Sequence, residues 1–236
     1  MLSTAIPGRA DALVDLVVLD IAGTTVQEHG AVYVALEDSV RAAGGTPSRE
    51  DVARWMGADK VEAITALLAC GHPGPGTADE AVVAGVYDDF RARLDHAYQE
   101  RPPVPMTGVP EAFALLRGRG VKISLTTGFT REITRPLLDR VGWGADVLDA
   151  VVTVDDVTLG RPAPFMIFRS MELTGVTDVS RVLVAGDTVR DLQAGVNAGA
   201  SFVVGVLGGG TDLAGLGRAR HTHLLSGVGD VPALVL

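Results

Sequence analysis

From residue 108 onward the chain alternates between short, largely β-branched apolar runs and amphipathic stretches of helical length, and this alternation constrains its fold more than any other feature. The runs cover residues 121–125, 150–154, 181–185 and 201–206, with one more at 13–19, and each reads as a strand. Between the later runs lie residues 110–119, 130–141, 162–174 and 189–198, each spaced as a helix. Strands that are apolar on both sides and joined by helices belong to a parallel sheet covered on both faces, with right-handed crossovers. The fold class is therefore α/β, a doubly wound parallel sheet.

Residues 29–104 break the alternation. They hold apolar residues at helical spacing (Val32, Leu36, Val40; Val61, Ile64, Leu67, Leu68) and no clear strand, which predicts a helical cap inserted into a core made of residues 1–28 and 105–236. The exit from the insertion, Arg101-Pro102-Pro103-Val104-Pro105, is stiff and extended because each proline fixes its own φ and restricts its predecessor. A hinge is expected there and near His29. Residues 71–76, rich in Gly and Pro, read as a turn between helices.

With 236 residues, 47% of them hydrophobic and 21% charged, the chain can bury a sizeable core. Its net charge of −9, with no Lys or Arg run longer than two, excludes a phosphate-backbone footprint for nucleic acid. Cys70 is the sole cysteine, so neither an internal disulfide nor a Cys-rich metal cage is expected. The N-terminal residues lack the pattern of a signal peptide, and no segment reaches 18 uninterrupted apolar residues. A cytoplasmic protein that does not span a membrane is the expectation.

Ligands of doubly wound sheets sit beyond the carboxyl ends of the strands. Those ends are chemically loaded here: Asp20-Ile21-Ala22-Gly23-Thr24-Thr25, Thr126-Thr127-Gly128, Gly160-Arg161-Pro162, and Gly186-Asp187 with Asp191. Any single Asp after a strand is ordinarily a helix cap or turn residue; four loaded ends in order argue for a site. Convergence of Asp20, Asp187 and Asp191 either raises a pKa or requires a cation, and hard carboxylates with no His or Cys nearby suit Mg²⁺. Mg²⁺ binds through few carboxylates plus substrate phosphate oxygens, which points to a small phosphorus oxyanion as substrate. Thr127, the Gly128 amide, Gly23 and Arg161 are candidate donors to it, and Asp20 is the candidate nucleophile.

These four motifs resemble those of the haloacid dehalogenase superfamily, and within it the phosphonatase and phosphonatase-like branch, over nearly the whole chain. The resemblance implies a Rossmann-like core with a helical cap, and an aspartyl-phosphate on Asp20. It also implies Mg²⁺ held by the side chains of Asp20 and Asp187 and the carbonyl of Ala22, Asp191 supporting a metal water, and a homodimer formed through the cap.

Ala22 is the informative departure from most phosphatases of the superfamily, which have an acid there to protonate a leaving alkoxide, a contribution of roughly 10²- to 10⁴-fold. A carbon leaving group needs no such acid if its electrons enter an iminium. Lys60 is the candidate amine, because Trp55-Met56-Gly57-Ala58-Asp59-Lys60 resembles the phosphonatase segment that carries a Schiff-base lysine, with Met56 retained as a substrate contact. Taken alone, a lysine on an amphipathic helix is a solvated one. Polar family residues are replaced by Ala31, Ala63 and Phe129, so the carbonyl substrate is open. His29 reads as a solvent-facing turn residue, His221 and His223 as structural, and Gly208-Gly209-Gly210 as a flexible turn. The leading expectation is a phosphonatase-type hydrolase of a phosphonoaldehyde; the alternatives are a phosphate-monoester phosphatase of the same fold and a non-catalytic phosphometabolite-binding protein.

Overall fold

The computed structural model describes residues 12–70 and 79–236; the N-terminal segment and the expected turn at 71–76 lie outside the described residues. Six strands, β1 (Leu16–Asp20), β4 (Lys122–Thr126), β5 (Ala150–Val152), β6 (Val182–Gly186), β7 (Phe202–Val206) and β8 (His223–Leu225), form one parallel sheet in the order β5-β4-β1-β6-β7-β8. The sheet confirms the doubly wound reading and places β1 at its centre. Successive β1 residues serve opposite faces. Leu16 and Val18 pack with Ile167 and Met171 of α7 (Phe165–Thr174) and Ala194 and Ala198 of α8 (Val189–Ala198). Val17 and Leu19 join Phe113 and Leu116 of α5 (Val109–Gly118), Leu137 of α6 (Arg131–Val141) and Val231 of α10 (Val231–Val235).

Strand bounds shift by a residue or more from the sequence reading, and residues 154–156 turn into a single 3₁₀ turn instead of extending β5. The helix expected from 162 begins at Phe165, because Pro162 and Pro164 hold the preceding residues in a turn and Pro164 caps the helix. A further short helix, α9 (Leu213–Arg218), follows β7.

The insertion is helical: α1 (Ala31–Ala42), α2 (Arg49–Arg54), α3 (Lys60–Leu68) and the long α4 (Glu80–Glu100). Its interior, with Leu36, Val40, Ile64, Leu67, Phe90 and Leu94 buried, is continuous with one face of the core. Its two crossings to the core run side by side as an antiparallel pair, β2 (Val26–Gln27) with β3 (Val104–Pro105), an element too short for periodicity to announce. Glu28 closes the entrance: its carboxylate accepts the amides of Gly30 (3.0 Å) and Val32 (2.9 Å) at the start of α1, and burial pushes its pKa upward.

A candidate active site beneath the cap

Parallel register sets the site. Asp20, the last residue of β1, is level with Thr126 of β4, and Leu19 with Ala185 of β6, so the residues that follow these strands emerge at one edge. Asp20, Thr127, Arg161, Asp187 and Asp191 are all buried. Arg161 binds two of them: its Nη1 donates to Asp20 Oδ1 at 2.7 Å and to Asp191 Oδ1. Its Nε is buried with no acceptor among the described residues. An orphaned guanidinium N–H beside the Asp20 carboxylate is a place for an anionic oxygen, since burying it unpaired costs on the order of 1–3 kcal/mol.

Asp187 sits 1% exposed, its Oδ1 accepting the Thr24 hydroxyl at 3.0 Å and its Oδ2 the Gly210 amide at 2.6 Å. Desolvation and the neighbouring charge of Asp20 push its pKa up to about 6. Two desolvated carboxylates in each other's field, with hard oxygens and small-residue walls, fit a Mg²⁺ ion. The wall is tight: a Cβ on Gly23 would stand 2.6 Å from Asp187 Oδ2, and one on Gly209 only 2.0 Å. Asp191 has a structural task as well, because its Oδ2 accepts the Thr188 amide (3.0 Å) and hydroxyl (2.6 Å) in the capping box that starts α8.

Gly208–Gly210 is thus part of the site and not simply a flexible turn. The run lacks both the spacing and the strand-one position of a dinucleotide-binding loop, but its place after β7 puts it at the same sheet edge. Gly209→Ala is expected to displace Asp187 and lower kcat/KM by about 10²-fold, the cost of misplacing a catalytic group by about 1 Å, and steady-state kinetics beside a melting curve separate this from unfolding.

The cap lies directly on this crevice. A Cβ on Gly128 would meet the Ala58 carbonyl at 2.5 Å, one on Gly57 the Thr188 hydroxyl at 2.7 Å, and one on Gly210 the Met56 methyl at 2.3 Å. Trp55 packs its ring against the Arg190 guanidinium, 5.1 Å from centroid, and across the cap Tyr87 and Thr130 share a hydrogen bond of 3.0 Å. Lys60, at the first turn of α3, is carried inward by these contacts. It is 4% exposed; its Nζ donates to the Ala58 carbonyl at 2.7 Å and stands 5.5 Å from the Phe129 ring centroid. Burial, with the Arg161 charge, pulls its pKa down to about 8, while Asp59 and Asp20 act upward and Arg190 downward. Ala63 is fully buried in the cap interior, and Ala31 packs against the core. Thr127 accepts the Phe129 amide at 3.1 Å.

The structure adds Tyr33, on the first turn of α1. Its phenol is pushed strongly upward in pKa by burial and then by the charges of Asp187 and Asp20. A tyrosine on a helical stripe carries no mark of this in the sequence, because the approach of α1 to the core carboxylates is set by the β2/β3 junction.

The family model for haloacid dehalogenase-like hydrolases matches residues 14–199. The chain belongs to that family. A phosphonoacetaldehyde hydrolase of Bacillus cereus is 33% identical over 210 residues, covering 85% of this chain and 78% of the relative. Among solved structures, a phosphonoacetaldehyde hydrolase-like protein from Oleispira antarctica superposes with a TM-score of 0.80 at 21% identity, over 99% of this chain and 95% of that one. A hydrolase from Pseudomonas syringae gives 0.78 at 18% identity, over 92% and 95%. These two likenesses speak for the fold. As a haloacid dehalogenase-like hydrolase, the protein is an enzyme, and the reading as a non-catalytic binding protein falls away. No helix among the described residues is long and apolar enough to cross a membrane.

Proposed function

We propose that the protein is a phosphonatase-type hydrolase that cleaves the carbon–phosphorus bond of phosphonoacetaldehyde or a related phosphonoaldehyde. The observation that carries this reading is Lys60: a buried amine with its pKa pulled down to about 8, on the cap segment that closes over Asp20 and Arg161. The relative from Bacillus cereus supports it by name. Mg²⁺ would be held by the carboxylates of Asp20 and Asp187 and the carbonyl of Ala22, with Asp191 one step removed, and would supply neutralisation of oxyanion charge.

The neutral Lys60 amine adds to the substrate aldehyde, and the resulting carbinolamine takes up a proton from solvent and loses water to give an iminium. Asp20 attacks phosphorus in line as the carbon–phosphorus bonding pair moves into that iminium, leaving an enamine on Lys60 and a phosphoryl group on Asp20. Arg161 and the Gly128 amide donate to the phosphoryl oxygens, and Thr127 shapes the same pocket. Water hydrolyses the aspartyl phosphate. Protonation of the enamine and hydrolysis of the resulting imine release acetaldehyde and restore Lys60. No acid is required at Ala22, because no alkoxide leaves. Met56, packed against Gly210, helps exclude water from both covalent intermediates.

The reading extends to a cytoplasmic setting and to a homodimer formed through the cap, on whose helices Val34, Val61 and Val82 are exposed apolar groups.

Borohydride reduction in the presence of phosphonoacetaldehyde tests the central step. The chain has two lysines, Lys60 and Lys122, and Lys122 is exposed and paired with Asp149 at 2.8 Å. A substrate-dependent N-alkyl adduct on Lys60 in peptide mass spectra is the expected result. Absence of the adduct, together with turnover of phosphate monoesters, would replace this reading by the phosphatase one.

A further inference from the structure

A cleft of about 1080 Å³ opens between α2 of the cap and α8 and α9 of the core. Its walls carry the guanidinium groups of Arg54, Arg190, Arg218 and Arg220, against a single carboxylate, Asp212. In a chain of 29 acidic and 20 basic residues this is a locally inverted charge. Some of that charge is already engaged. Arg54 pairs with Glu50 and Asp51 at 2.9 and 3.3 Å, Arg190 donates to the Arg161 carbonyl at 3.1 Å, and Asp212 accepts the Gly215 amide at 2.7 Å at the start of α9. Arg218 and Arg220 are exposed and make no side-chain hydrogen bond or ion pair with the described residues.

The cleft also has an inner end. Met56, Thr188 and Gly210 line it, and these are the residues that touch the crevice: the Gly210 amide donates to Asp187 and the Thr188 hydroxyl to Asp191. Beside Lys60 stands the Phe129 ring of the core, and Ala63 is buried in the cap interior, so neither offers a polar group to discriminate between substrates. Guanidinium forks match carboxylate and phosphate oxygens in pairs, and two unpaired ones at the open end of a cleft form a receptor for such a group.

We propose that this cleft is a subsite for a second anionic group of the substrate, which is then a phosphorus oxyanion extended at its far end by a carboxylate or phosphate. The inference rests on the reading of the crevice as a phosphorus site and names the substrate class it serves.

Calorimetric titration with Mg²⁺ in the buffer tests it, using ω-phosphonocarboxylates of increasing chain length against alkylphosphonates of matching length, none of which carries an aldehyde. The best ω-phosphonocarboxylate is expected to bind roughly ten- to a hundred-fold tighter than its alkyl counterpart. That preference should shrink as salt is added and vanish in Arg218→Ala/Arg220→Ala. Equal affinities, no binding by either series, or a preference that survives in the double variant overturns the subsite. Borohydride trapping on Lys60 is read separately: a protein that traps but shows no anion preference loses the subsite alone, and one that shows the preference without trapping loses the phosphonatase reading alone.

Discussion

Lys60→Met is expected to abolish carbon–phosphorus cleavage while raising the melting temperature. The loss should be at least about 10⁴-fold, the scale for removing a group that forms a covalent intermediate. The gain follows from proton linkage. The unfolded amine keeps its proton up to the ordinary 10.5, whereas the folded one releases it near 8, so between these values the unfolded state binds more protons and wild-type stability rises with pH. Below about pH 8 the full penalty remains, roughly 3 kcal/mol. Methionine fills the site without charge, and the Ala58 carbonyl left without its donor takes back about 1 kcal/mol. The net effect of roughly 2 kcal/mol corresponds to an increase of about 4–8 °C at pH 7, fading as pH approaches 10.5. Calorimetry of both proteins at the two pH values checks it, and a lower melting temperature at neutral pH would mean that the amine is solvated. The same linkage makes the rate of borohydride trapping in the wild type rise with pH through about 8, as the neutral amine becomes the major form.

The second large effect belongs to Asp20→Asn. The amide conserves volume and still accepts from Arg161 Nη1, which holds Asp191 as well, so the fold should persist. Phosphate release should fall on the order of 10⁵-fold or more, as for loss of a nucleophile acting as part of a unit. Binding of an alkylphosphonate should survive, because the variant removes one negative charge facing the dianion. Acid-quenched wild type should carry a phosphoryl adduct by intact mass, and the variant none. Retained turnover would exclude covalent catalysis at this residue.

The sheet was legible because its strands are buried on both faces and therefore written as unbroken apolar runs, as in Leu16–Asp20, all five residues of which are buried. Loaded strand ends were legible for a related reason: in a parallel sheet every carboxyl end faces the same edge, so Asp20, Thr127 and Asp187 meet without knowledge of the loops. The Lys60 segment could be recognised only by resemblance, since its burial depends on how the cap docks, and no periodicity within α3 encodes that. Gly209 and Gly210 were hidden for a different cause. Gly209 leaves space for Asp187 and Gly210 leaves space for Met56 while its amide donates to Asp187, and neither an absent side chain nor a backbone donor leaves a chemical mark in a sequence. Tyr33, Arg218 and Arg220 share this limit, because each acquires its neighbours from another domain or a distant element.

The β2/β3 pair constrains how the lid can swing. Two independent tethers would let the helical unit wander and twist over the crevice, but here both crossings are laced together by backbone hydrogen bonds. A rigid lid would turn on this one short ribbon, like a door on a single pin. A rotation of the whole unit about this ribbon that lifted Met56 off Gly210 would also withdraw Lys60 from Phe129, joining admission of solvent and retraction of the amine in one motion.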